Sequence, residues 1–234
     1  RFCWFAGRNA AAEEHARAAL TLLEALPPGR ELAMAYSNLS QLRMLAMDGT
    51  DAMHWGTRAI ELATGLGDQA ILAHALTNVG TVLATADDPA GRRMIERSIE
   101  IARAHGLDDD VTRGYANLAW ASLDPYDLNA AEELIQPALA YPAEHDLAAM
   151  ERYLYAVRAR ALLGRGAWAE AEREAAAVIA QPSANSHARI VALTVLGQIA
   201  ARRGDDPAPA LDEAFTLAQS TDQLIRMGPV RAAR

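Results

Sequence analysis

An all-α fold, a right-handed superhelical solenoid of helix hairpins, is what this sequence predicts. Three observations predict it: a period of about 39–40 residues, helical apolar spacing inside each period, and turn signals at matching places. A small residue followed by a bulky one recurs at Ala19-Leu20, Ala59-Ile60, Ser98-Ile99, Ala138-Leu139, Ala177-Val178 and Ala214-Phe215, at steps of 40, 39, 40, 39 and 37. A second series, Asn38-Leu39-Ser40, Asn78-Val79-Gly80 and Asn117-Leu118-Ala119, keeps the same period. Asp48-Gly49, Asp87-Asp88-Pro89, Asp124-Pro125, Gly164-Arg165-Gly166 and Gly204-Asp205-Asp206-Pro207 supply the breaks.

Taken in order, the units are a truncated pair over 1–27, full pairs over 31–66, 70–106, 109–145, 148–181 and 186–219, and a seventh starting at 222. In the first full pair, Leu32, Ala35, Tyr36, Leu39, Leu42 and Met47 mark one helix at three- and four-residue steps. Ala52, Trp55, Ala59, Ile60, Leu62 and Ala63 mark the next, with Thr50 or Asp51 expected as its cap. Pro89 and Pro207 suit a first helical turn, where the missing N–H costs nothing. Pro137 falls inside the second helix of its pair and is expected to bend or end it. Within 168–181 the register is open by one residue. No stretch alternates Val, Ile or Thr with polar residues, so strands are not expected. One hairpin cannot bury its own apolar stripe, and the repeated Ala and Ser let neighbours stack closely.

Composition narrows the function. The 234 residues are 51% hydrophobic and 22% charged, ample for a core. No apolar run approaches the roughly 20 residues of a membrane span, and no signal-peptide pattern is present. A single cysteine, Cys3, excludes an internal disulfide framework, and a reducing cytoplasm is the expected compartment. The net charge of −8 argues against direct nucleic-acid contact, and every basic side chain is arginine, as in a GC-rich bacterial genome. The chain starts at Arg1 without methionine and ends abruptly after Gly228-Pro229-Val230-Arg231. It reads as a single repeat domain, residues 1–234, cut from a longer protein.

The order Leu39-Ser40 … Asp48 … Ala52 … Ala59, and its copies, resembles the tetratricopeptide consensus with a longer period. Three stretches, Glu31–Leu39, Arg58–Ala63 with Leu66-Gly67-Asp68, and Gly228–Arg234, are similar to the repeat domain of bacterial LuxR-type (MalT-like) transcriptional regulators and related signal-transduction ATPases. That resemblance implies an ATPase module before the repeats and a helix-turn-helix after them, with the repeats sensing an inducer or partner. Neither module is in this segment: a lysine-free chain cannot supply a phosphate-binding G-x-x-x-x-G-K-[ST] loop.

Catalytic patterns are missing. H-E-x-x-H, G-x-S-x-G and G-x-G-x-x-G do not occur, and His15, His54, His74, His105, His145 and His187 form no i,i+4 pair. No cofactor or metal is called for, and no enzymatic activity is expected. Asp108-Asp109-Asp110 reads as a solvated helix start. Asn38, Asn78 and Asn117, equivalent in successive units, read as carboxamides bridging neighbouring helices, although peptide-binding repeats also use asparagine on the inner face. Trp4, Trp55, Trp120 and Trp168 read as packing residues, with Trp120 kept as a ligand contact.

A solenoid of this kind binds on its concave face, lined by the first helix of each pair. With Asn38 as the fixed position, the inward set is Met34, Ser37 and Gln41; His74, Thr77 and Thr81; Arg113 and Trp120; Tyr153; and Thr194, Gln198 and Arg202. The expected partner is a protein, a peptide with an acidic group, or a small-molecule effector. The reading is a regulatory sensing domain of a bacterial transcriptional regulator; the alternative is a general protein–protein scaffold or peptide-binding module. Apolar solenoid ends also leave homo-oligomerisation open.

Overall fold

The computed structural model describes residues 9–123, 128–145, 147–181, 185–221 and 224–234. Cys3, Trp4 and the Asp124-Pro125 turn lie outside them. The described residues are helical throughout apart from short turns, and the chain forms two compact units, residues 1–121 and 122–234.

The first unit contains α1 (Asn9–Leu23), α2 (Arg30–Leu45), α3 (Gly49–Leu66), α4 (Gln69–Thr85), α5 (Pro89–Ala104) and most of α6 (Asp108–Leu123). From α1 to α5 each helix packs on the next, and α2 also packs on α4, so first helices touch first helices. The second unit contains α7 (Leu128–Glu144), α8 (Ala148–Gly164), α9 (Trp168–Ile179), α10 (Ser186–Arg203), α11 (Ala208–Thr221) and α12 (Leu224–Ala233). There α8 meets α10 and α10 meets α12 by the same rule. The five full pairs are found within about two residues of their expected ends; the start of the truncated first pair lies outside the described residues.

Several turns share one recipe. A left-handed residue ends one helix and a short polar side chain caps the next: Gly67 (φ 69°) precedes Asp68, whose Oδ1 accepts the Ile71 N–H at 3.0 Å. Asp48 does the same for Asp51 at 3.1 Å, so the cap of α3 is Asp48; Thr50 and Asp51 lie already in its first turn. Asp88 caps α5 by accepting from Ala90, with Pro89 in the first turn as expected, while Pro207 sits just before α11. Met47 and Asp87 take the left-handed position at φ 61° and 60° without being glycine.

Two expectations need correction. Of the two outcomes expected at Pro137, a bend or an early end, the early end does not occur: helix α7 runs through it to Glu144. Pro137 and Glu133 are both exposed, so water can serve the Glu133 carbonyl that the ring leaves without an N–H. The small-residue series also slips in its fifth member: Ala177 is exposed and Ala175 is fully buried, in step with Ala138 and Ala214. Ala19 is exposed as well, and only its neighbour Leu20 is buried.

Close approach is what the buried small residues achieve. On α3, Ala52, Gly56, Ala59 and Ala63 form one buried stripe, and a Cβ on Gly56 would lie 2.3 Å from Val79 Cγ2. At the α4–α5 contact, a Cβ on Gly91 would lie 2.2 Å from the Ala84 nitrogen and 2.5 Å from the Gly80 oxygen. Those neighbours are backbone, which cannot rotate away. Gly91→Ala is therefore predicted to cost about 3 kcal/mol or more in urea unfolding. Gly65→Ala, with nothing within 4 Å of the added carbon, should be stabilising by about 0.5–1 kcal/mol.

Candidate functional site

In the first unit, the polar residues of the first helices bond to one another across the stack. Asn78 donates from Nδ2 to the Ser37 carbonyl at 2.9 Å, and its Oδ1 accepts from Arg113 Nη1 at 2.8 Å. One carboxamide thus joins α2, α4 and α6. Arg113 also donates to the His74 carbonyl at 3.1 Å and to Asp110 at 3.2 Å. Ser37 Oγ lies 2.6 Å from His74 Nδ1, and Asn117 donates to Thr81 Oγ1 at 3.0 Å. Thr77 shares a hydroxyl contact with Ser98 at 2.7 Å, and Ser98 in turn donates to the Ala73 carbonyl. The bridging reading of the asparagines holds for Asn78 and Asn117; Asn38, in the same register, is half-buried.

This network changes the expected binding face. Ser37, His74, Thr77, Thr81, Thr194 and Trp120 are all buried, between 0 and 8% exposed. Ser37, His74 and Thr77 spend polar atoms on neighbouring helices, while the Thr81 and Thr194 hydroxyls donate to carbonyls one turn back in their own helices. Met34, Gln41, Arg113, Tyr153 and Gln198 are half-buried and keep some open surface, and Arg202 is exposed. Arg113, expected as a ligand contact, is held on three sides by Asn78, His74 and Asp110. The Ser37–His74 pair has the spacing of a nucleophile and its base, but at 0 and 2% exposure no substrate can reach it.

In the second unit, the signal that sequence reading missed is Arg226. Near the start of α12, it is 8% exposed, and its guanidinium lies 5.5 Å from the centre of the Tyr153 ring. Its Nη1 donates to Tyr153 Oη at 3.4 Å, while its Nε is buried without a partner. His187, near the start of α10, is close enough to sense that charge. Burial of the imidazole, reinforced by Arg226, pushes its pKa from 6.5 down to about 3. A separate cleft of about 310 Å³ opens between α7, α8 and α9, floored by Ile135, Ala161 and Leu162. Arg158 on its wall is already claimed by Glu174 through a forked pair at 2.5–2.8 Å. Among the described residues no cluster of His, Cys, Asp and Glu could hold a metal, and no helix is long and apolar enough to cross a membrane.

Comparison with known proteins acts at the level of fold. No family model matches the chain, and no curated protein sequence is similar to it. The structure is similar to that of a Rap protein complexed with Competence and Sporulation Factor, at 17% identity and a TM-score of 0.73. The match covers 91% of this chain and 61% of that one, so the segment spans under two thirds of the Rap protein. It is also similar to BtubC from P. vanneervenii, at 17% identity and a TM-score of 0.60, covering 98% of this chain and 91% of that one. The fold is a tetratricopeptide-like stack of helix hairpins.

Two measurements follow from these contacts. Asn78→Ala leaves the Arg113 guanidinium and the Ser37 carbonyl short of a partner inside the stack. A loss of about 2–3 kcal/mol is expected by urea unfolding. His187 binds its proton in the unfolded chain below pH 6.5, whereas the folded chain refuses it down to about pH 3. Stability is therefore full above pH 6.5 and falls as pH drops through that window. Between pH 7 and 5 the loss from this group should be about 2 kcal/mol, and His187→Gln should remove it.

Proposed function

We propose that this chain is a non-catalytic sensing module of a bacterial transcriptional regulator of the LuxR type, working in the cytoplasm. It binds a peptide, protein or small-molecule effector on the face built by the first helices of its pairs. The observation that carries this reading is the direct bonding of one first helix to the next: Asn78 to Ser37, Arg113 to Asn78 and His74, Asn117 to Thr81. A ligand that displaces one of these helices strains bonds to its neighbours, which is how a repeat stack can pass a signal along its length. The Rap protein of like fold was crystallised with a bound factor, which supports a ligand-binding role for such a stack. The buried state of the Ser37–His74 pair supports a non-catalytic one.

Reading the parent gene on both sides of this segment tests the regulatory context. An ATPase module upstream and a helix-turn-helix downstream are expected; the absence of both would leave a partner-binding scaffold in place of a regulator. The binding face has its own test in any effector recovered by thermal-shift screening. The double variant Gln198→Ala, Arg202→Ala should weaken it at least about tenfold, as loss of a charged hydrogen bond does. Undiminished affinity would remove this face from the reading.

A further inference from the structure

Three half-buried arginines show how the fold can treat a cation that it holds inside. Arg113 is met by Asp110, Arg158 by Glu174, and Arg43 by Glu13. Arg226 breaks the pattern. Among the described residues it is the only arginine that is buried outright, and no carboxylate among them pairs with it. Its one hydrogen bond among the described residues is the long contact to Tyr153, and its Nε, like that of Arg152, is buried without a partner. His187 beside it is kept neutral by burial and by that charge, and supplies no counter-charge. Burial of a cation without a counter-charge is unfavourable, so among the described residues the site is incomplete.

We infer that Arg226 and Tyr153 form a built subsite for a carboxylate, the acidic group of the ligand that the first-helix face binds. The inference deepens the partner-binding reading and rests on it for its biological meaning. Three features select a carboxylate. The guanidinium offers a planar fork that matches two oxygens. Tyr153 accepts from Arg226, which leaves its own hydroxyl proton to donate to the same anion. Arg226 and the neighbouring His187 lie in the first turns of α12 and α10, where the helix dipoles favour negative charge. With one fixed cation the site is singly charged, which suits a carboxylate better than a phosphate dianion.

The test uses the 234-residue chain, labelled so that arginine Nε–H groups are seen by NMR, with sodium acetate as the probe. The Arg226 resonance, identified by its loss in Arg226→Met, should move saturably with acetate and not with chloride at equal ionic strength. Tyr153→Phe should weaken acetate about tenfold. Arg226→Met should fold with a melting temperature no lower than the parent, because an apolar chain of similar length replaces an unpaired cation. N-acetylalanine and the α-amide of N-acetylglutamate then separate the two sources of the group; whichever binds tighter names a chain terminus or an acidic side chain. The proposal is overturned by a resonance that stays still or moves alike with chloride. Phosphate binding without acetate binding also overturns it, as does a clear loss of stability in Arg226→Met, which would show the cation already satisfied. Acetate needs no biological partner. Saturable acetate binding in a chain whose gene carries no regulatory modules would keep the subsite and discard the regulator.

Discussion

Backbone-to-backbone approach between consecutive helices is the constraint on which the rest of this structure depends. Gly91 lies against Gly80 and Ala84 with no room for a single added carbon, and Gly56 lies against Ser40 and Val79 almost as tightly. Such spacing needs small residues on one face of each helix, and the fully buried Ala52, Ala59 and Ala63 are the same device in a milder form. At that separation a short hydroxyl reaches a carbonyl on the next helix: Ser40 reaches Ala52 at 2.8 Å and Ser98 reaches Ala73 at 2.6 Å. The polar network therefore follows from the packing. Longer side chains at these positions would push the helices apart and leave those carbonyls without partners.

Much of this was readable from the residues themselves. The helices, their order and their ends follow from a repeat whose apolar spacing and turn signals agree, and agreement between independent signals makes such a reading firm. Where the reading slipped, the cause was local. Ala175 and Ala177 are equally small, so composition could not say which of them faces inward; the turn of the helix decided it for Ala175. Pro137 looks like a helix breaker on paper, yet on a solvent face the freed carbonyl has water to bond.

The candidate site was harder to read for a related reason. Polar residues on a helix face can point to a groove or to a neighbouring helix, and sequence spacing is the same for both. Ser37, His74 and Thr77 were expected on an open face, but neighbouring helices bury them. Tyr153 was placed there too and keeps open surface. Its significance depends on Arg226, which lies 73 residues further along the chain and belongs to the incompletely repeated last element. No pattern within one period could have linked them.

The two units differ in how they treat charge, and that difference bears on how ligand binding could be felt. In the first unit, Arg113 is held by Asp110 and Asn78, so a charged hydrogen bond and a carboxamide join the first helices there. In the second, the matching region around Tyr153, His187 and Arg226 has a long contact and a neutral imidazole in place of an ion pair. A satisfied network resists displacement, whereas an unsatisfied one gains free energy when a counter-charge arrives. The second unit is therefore where an anionic ligand would do most to α8, α10 and α12, because it would complete their contacts. A ligand meeting the first unit would have to break contacts that already exist.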